Sequence, residues 1–326
     1  MIIKISQHVC LLTVALIQVG CVTPIPSDPA LATIDTSKLS TPDISVEIPG
    51  LSACTTTNDP AIELDSNQPV TIIVHGCYGS AALFRSLAQV FAFHGQQTVC
   101  FNYNDRDSLM KSSAEFIDAL TSLSAKMKNH QITVIGHSQG GLISRKALIK
   151  EREDKLQAEN ISLQLVTISS PFAGIAAADH CASMTARILS LGLVIPICKL
   201  ISGDKWYEIT HASPFIQEPG ELLGQVTKHF KIDTDERDSC RQYDENKNCL
   251  EDDFVFSLSE QSFQDVDTSA QVKYIKVLAG HAEIVGNYDT PPVKLIKLMQ
   301  SNGIMNRTPV AQRDKFSSFL SRLYQE

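Results

Sequence analysis

From about residue 70 the chain alternates short apolar, β-branched runs with longer stretches in which apolar residues return every three or four positions. The runs Val70 to Val74, Thr98 to Tyr103, Ile132 to Ile135, Leu163 to Ile168, Val226 to Ile232 and Val272 to Leu278 predict strands. Between and after them, Leu83, Leu87, Val90 and Phe91 share one helical face, as do Phe116, Leu120, Leu123 and Met127. The pattern Leu142, Ile143 and Ala147 predicts another helix, and Val293, Ile296 and Met299, then Phe316, Phe319, Leu320 and Leu323, close the chain as helices. Strictly alternating strands and helices predict an α/β fold: a mostly parallel sheet with helices on both faces. In such a sheet reaction centres belong at the carboxyl ends of the strands.

Two regions break the alternation. Residues 1–20 hold Lys4, an apolar stretch from Val9 to Val19 and then Gly20, and Cys21 follows, the pattern of a secretion signal ending at a lipid-accepting cysteine. The stretch is too short to span a bilayer. Residues 21–43 are rich in Pro, Ser, Thr and Asp and predict a flexible tether, which leaves 44–326 as the folded domain. The second break, 172–224, carries the apolar residues Met184 to Ile197 and predicts a cap inserted over the strand ends, either packed on the body or hinged as a lid.

The formal net charge of −8, with no basic patch, argues against a nucleic-acid partner. The nine cysteines suit an exported chain with disulfides. Short local spacing predicts the pairs Cys181 with Cys198 and Cys240 with Cys249, and of Cys54, Cys77 and Cys100 one is left over. No CxxC or close Cys/His pair suggests a metal, and no motif asks for a cofactor.

The chemistry concentrates where a strand meets a Gly-x-Ser-x-Gly turn, Ile132-Thr-Val-Ile-Gly136-His137-Ser138-Gln139-Gly140-Gly141. Such a turn holds its serine in a strained conformation at a helix N-terminus, with glycine two residues before and after because nothing larger fits. Ser138 is the candidate nucleophile, and the N–H of Gln139 faces the oxyanion that would develop. A serine at neutral pH also needs a base and an acid to fix the base's tautomer.

The GHSQGG turn, the strand-end His75-Gly76, Ile168-Ser-Ser-Pro-Phe-Ala-Gly174, Ser213-Pro214-Phe215 and the final Gly280-His281 together resemble the α/β-hydrolase superfamily. Within it they are similar to the lipase and esterase branch of bacterial triacylglycerol lipases and GPI-inositol-deacylase-like serine esterases. Asp253-Phe-Val-Phe-Ser257 resembles that branch's Asp-Gly-x-Val-Pro acid loop, with Phe254 in place of Gly and Ser257 in place of Pro. The resemblance implies the chain order serine, acid, histidine. His281, directly after the last strand, is then the base, and Asp253, preferred over Asp252, is the acid. His180, His211 and His229 read as surface or structural residues. The turn after Val74 implies the second oxyanion donor, the N–H of Cys77 first and Tyr78 second, with Gly76 letting the backbone come close.

The implied activity is hydrolysis of carboxylic esters, on apolar acyl esters at the cell envelope, without cofactor. An acyltransferase using the same acyl-enzyme, or a lipoprotein that binds a partner on a hydrolase fold, are the alternatives. Acylation at Cys21 would place the protein on the membrane surface, by resemblance the outer membrane; a secreted or periplasmic protein is the other expectation.

Overall fold

The central strands are buried on both faces, and the alternating direction of their side chains sorts these into two cores. In the computed structural model, which describes residues 33–56, 59–77, 79–158, 160–179, 194–286 and 290–324, the chain forms β1 (Ile44–Glu47), β2 (Leu51–Ser52), β3 (Ala61–Leu64), β4 (Val70–Val74), β5 (Gln97–Phe101), β6 (Gln131–His137), β7 (Ser162–Ile168), β8 (Val226–Asp235), β9 (Cys240–Tyr243), β10 (Cys249–Asp252) and β11 (Val272–Leu278). Seven of these make one sheet in the order β11-β8-β7-β6-β4-β5-β2. All its pairings are parallel except that of β2 with β5, at the edge. The sheet is the mostly parallel α/β sheet that the alternation predicts.

Val70, Ile72 and Val74 of β4, with Ile132 and Val134 of β6, point into one core, while Ile73 and Ile135 point into the other. Helix α1 (Arg85–Phe93) buries Leu87, Val90 and Phe91 in the second core, joined there by Leu295, Ile296 and Met299 of the helix Val293–Ser301 and Leu320 of the helix Arg313–Leu323. Helices α2 (Leu109–Ser124) and α3 (Gln139–Ala147) cover the opposite face through Phe116, Leu120, Leu142 and Ile143. Each large apolar side chain so buried contributes roughly 1.5–3 kcal/mol. Helix α2 starts where the Ser108 hydroxyl accepts from the Lys111 N–H, a cap worth about 1 kcal/mol.

Strand β8 is longer than its apolar run predicts, continuing past Ile232 through Asp233, Thr234 and Asp235. The extension is possible because its buried charges are paired. Lys231, fully buried, bonds Asp233 and lies 3.0 Å from Asp267, and Asp235 pairs with Arg237 at 2.6 Å and Lys276 at 3.3 Å, so each buried charge the strand carries has an opposite partner.

The order reverses at β4: the chain leaves it for β5 on one side and returns to β6 on the other. The crevice between the carboxyl ends of β4 and β6 is therefore the topological switch point at which ligands bind in open α/β sheets.

Residues 33–43, read from sequence as part of the tether, are fastened to the body. The Thr33 carbonyl accepts from Gln89 at 3.0 Å, Lys38 sits over the Phe93 ring, and the Asp43 carboxylate accepts from both the N–H and the hydroxyl of Ser66. Of the insertion, the helix α4 (Val194–Ser202), the turn Asp204–Trp206 and the short helix Pro214–Gln217 are described. Pro214 stands in the first turn of that last helix behind the capping Ser213, a position that needs no backbone donor. Cys21, Cys181 and Met184 to Leu193 lie outside the described residues. Cys54 pairs with Cys100 and Cys240 with Cys249, Cys198 is disulfide-bonded, and Cys77 is the free thiol among the described residues. Among those residues, no helix is long and apolar enough to cross a membrane.

Candidate active site

Ser138 follows β6 and opens α3 with φ 55° and ψ −125°, the strained geometry its motif predicts. The flanking glycines are there for contact. A Cβ on Gly140 would lie 2.3 Å from the Val74 carbonyl oxygen, and one on Gly136 2.5 Å from that of Gly140, so helix and strands close around the turn only without side chains. Gln139, as the first helical residue, has a main-chain N–H with no partner inside the helix. From β4, Gly76 passes so near the nucleophile that a Cβ there would lie 2.9 Å from Ser138 Cβ and 3.4 Å from its Oγ. The backbone at Gly76 thus runs along the serine, on the turn where the sequence resemblance expects the second oxyanion donor. Tyr78 lies outside the described residues.

His281 lies on the turn after β11, three residues past Leu278, with its ring held from three sides. The edge of Phe256 meets it at 4.9 Å and His137 packs on it at 4.7 Å, while the His137 Nε2–H donates to the His281 carbonyl at 3.0 Å. Burial, and then the neighbouring His281, depress the His137 pKa to about 3, so His137 is a neutral wedge. The third side is an acid, and it is not Asp253.

Glu236, the first residue after β8, places Oε1 3.0 Å from His281 Nδ1. Its carboxylate is buried and saturated. Oε1 also accepts from the Ser169 hydroxyl at 2.6 Å and lies 2.8 Å from Thr234 Oγ1, and Oε2 accepts the N–H groups of Val255 and Phe256 at 2.6 and 2.8 Å. Burial alone would raise the Glu236 pKa. The hydrogen bond and charge of His281, the Ser169 hydroxyl and the Phe256 N–H together outweigh it and hold the pKa below the ordinary glutamate value. Ser169 is itself strained at φ 46°, and its Oγ lies 2.7 Å from His281 Nδ1, bridging acid and base.

The expectation that Asp253 lies under the imidazole is corrected by this geometry. Asp253 is fully buried, but its oxygens accept the N–H groups of Ala282 and Glu283 at 2.9–3.0 Å and pair with Arg241 at 3.0 Å. Its own carbonyl accepts the His281 N–H at 2.9 Å. A carboxylate spent on the backbone beyond the histidine shapes the loop and has no free face for the ring. A Cβ on Gly280 would lie 2.1 Å from Asp253 Oδ2, so that glycine lets the carboxylate in. Asp252 is exposed on the stapled β9–β10 hairpin.

The structure therefore brings Ser138, Gly76-Cys77, Gln139 and His281 together at the carboxyl ends of β4, β6 and β11, and adds Glu236, Ser169 and Thr234. In the resting geometry Ser138 Oγ makes no hydrogen bond to His281 among the described residues, a bond that commonly tightens only on substrate binding. His229 is buried with Nε2 2.8 Å from the Thr167 hydroxyl, His211 pairs with Asp179 at 2.7 Å on the surface, and His180 lies outside the described residues. Among the described residues no group of three His, Cys, Asp or Glu could hold a metal ion.

A family model described as the alpha/beta hydrolase fold matches residues 69–179, the segment from β4 through the elbow to the start of the insertion. With the strand order above, that match decides the architecture. The chain has the α/β-hydrolase fold. Solved structures with this fold that resemble it include the mature form of a Bacillus licheniformis lipase, at 14% identity over 73% of this chain and 92% of the other, with a TM-score of 0.45. Esterase B from Lactobacillus rhamnosis is 14% identical over 79% and 87%, with a TM-score of 0.48, and a Pyrococcus furiosus esterase 14% identical over 82% and 91%, with a TM-score of 0.44. No curated protein sequence matches this α/β-hydrolase-fold chain.

Proposed function

We propose that the protein is a serine ester hydrolase working through an acyl-enzyme. Ser138 Oγ attacks the ester carbonyl while His281 Nε2 takes its proton, and Glu236 holds Nδ1–H in place and stabilises the imidazolium that forms. The N–H groups of Cys77 and Gln139 receive the oxyanion. His281 then hands its proton to the leaving alcohol, and a water activated by the same base releases the acid. The observation that carries this reading is the buried Glu236–His281 pair beside a serine in the strained elbow conformation.

The substrates proposed are apolar acyl esters at the cell envelope. Export by the N-terminal signal, acylation of Cys21 and attachment to a membrane surface belong to the same proposal and rest on the sequence of residues 1–21. A fluorophosphonate probe should label wild type at Ser138 and leave Ser138→Ala unlabelled, and a panel of p-nitrophenyl esters should give turnover that Ser138→Ala loses. A wild type that is folded yet neither labelled nor active on any ester of the panel would overturn the reading. For the membrane part, Cys21→Ser should move the protein from the membrane fraction to the soluble one; an unchanged distribution would refute acylation.

A further inference from the structure

The cap contributes a side chain to the heart of this site. Lys205, on the turn Asp204–Trp206, is 3% exposed although it comes from the insertion. Its ammonium donates to Gln139 Oε1 at 2.6 Å, to Cys77 Sγ at 3.0 Å and to the Asp105 carbonyl. An ammonium has three protons, so all are used and none is left for a substrate. Two of the three go to the side chains of Cys77 and Gln139, the residues proposed above to stabilise the oxyanion. The Asp105 carboxylate, 4.0 Å away, faces the charge, and Gln139 Nε2 donates to the Asp105 carbonyl at 3.2 Å.

The turn that delivers Lys205 is docked firmly. Gly203, at φ +79°, lies where a Cβ would come within 2.2 Å of the Arg106 carbonyl oxygen, and the Asp204 N–H donates to that carbonyl at 2.7 Å. The Arg106 guanidinium reaches the Leu200 carbonyl at 2.6 Å, and Glu208 accepts from the Ser108 hydroxyl at 2.8 Å and from the Leu109 N–H. The ammonium is thus fixed from the loop between β5 and α2 and from the cap at once.

We propose that Lys205 is a positioning residue for the oxyanion hole, tying the β4 turn and the nucleophile elbow together from the cap so that the Cys77 and Gln139 N–H groups converge. The assignment rests on the ester-hydrolase reading. Because Lys205 acts through those two residues, its loss should cost less than loss of a direct oxyanion donor, which typically costs about 10²–10³-fold in kcat. Lys205→Met, of similar length and without charge or donors, should lower kcat about ten- to one-hundredfold and leave KM within about threefold.

The test counts active sites by fluorophosphonate titration and reads kcat per titrated site. A purely structural lysine would lower the number of sites and the melting temperature but not the turnover of each. Gln139→Leu, which removes the acceptor and keeps the backbone N–H, closes a double-mutant cycle, in which Lys205→Met should cost much less when Gln139→Leu is already present. If Lys205→Met does not fold, Gln139→Leu alone should still show the per-site loss. Wild-type turnover per site in Lys205→Met, additive losses in the cycle, or an unimpaired Gln139→Leu where only that variant folds, would overturn the assignment. A wild type that the probe never labels would instead overturn the hydrolase reading and this assignment with it.

Discussion

Two carboxylates serve His281, and they differ in what they hold. Glu236, at the end of β8, meets the ring at Nδ1. Asp253, after the β9–β10 hairpin, meets the main chain on the far side of the same residue. Both are buried and both are fully hydrogen-bonded, so burial and charge alone do not tell a triad acid from a structural one. What separates them is the acceptor's direction. A carboxylate fixed by hydroxyls and backbone N–H groups on its outer lone pairs can present one oxygen to an imidazole, whereas one filled by two backbone N–H groups and an arginine cannot. In the proposed mechanism the first arrangement orients the base, and the second builds the loop that carries it.

Substitution at each carboxylate separates the two roles. The largest effect belongs to Glu236→Gln, which should lower ester kcat by about 10³–10⁴-fold, as loss of the orienting charge does in serine triads. The amide also turns a donor toward Ser169, His281 or the 255–256 backbone, so stability should fall by about 1–3 kcal/mol, read from urea titration. Asp253→Asn should reverse the emphasis, with a stability loss of about 1–3 kcal/mol and kcat down only about ten- to thirtyfold, because the ring keeps its acid while the loop loosens. A kcat loss in Asp253→Asn as deep as in Glu236→Gln would erase the distinction. Ser169→Ala removes one hydroxyl from the pair and should cost about 1 kcal/mol and about two- to tenfold in kcat.

A smaller effect isolates the charge on Glu236. Since the Glu236 pKa in the folded protein lies below its ordinary value, its ionisation contributes stability that is present above the unfolded value and lost as pH falls through the folded one. Thermal unfolding followed from neutral pH down through pH 4 should therefore fall less steeply in Glu236→Gln than in wild type. An identical slope in the two proteins would mean that Glu236 is not held ionised by its partners.

Much of this site is legible in the sequence. The Gly136-x-Ser138-x-Gly140 turn needs its glycines for the same close approaches that the strands around it impose, and His281 follows the last strand as the chain order requires. The rule that the acid follows the preceding strand leads to the proposed acid, Glu236, once that strand is carried to its end at Asp235. Asp233-Thr-Asp-Glu-Arg-Asp238 reads as a charged loop, which moves the acid to the next carboxylate before an apolar run, Asp253. The overlooked signal is the alternation of Phe230, Ile232 and Thr234 with Lys231, Asp233 and Asp235, which continues the strand and puts Glu236 first beyond it. Local charge density hides it, because the aspartates of this row are neutralised by Lys231 of the strand itself, by Arg237 just beyond it and by Lys276 of β11, a pairing that only the fold completes. Lys205 is illegible for a related reason: a lysine in a cap is ordinarily solvated, and nothing local marks this one as reaching the elbow. Of the cysteines, spacing predicts the Cys240–Cys249 staple, while Cys54 and Cys100 meet only through the fold, 46 residues apart.

Whether Glu236 rather than Asp253 activates the Ser138–His281 pair is decided by the second-order rate at which a fluorophosphonate labels Ser138 in each variant. That rate reports nucleophile activation without the later steps of turnover. It should fall by about 10³-fold or more in Glu236→Gln and by no more than about thirtyfold in Asp253→Asn, both measured on folded protein at neutral pH. A labelling rate that survives in Glu236→Gln and collapses in Asp253→Asn would hand the role of triad acid back to Asp253.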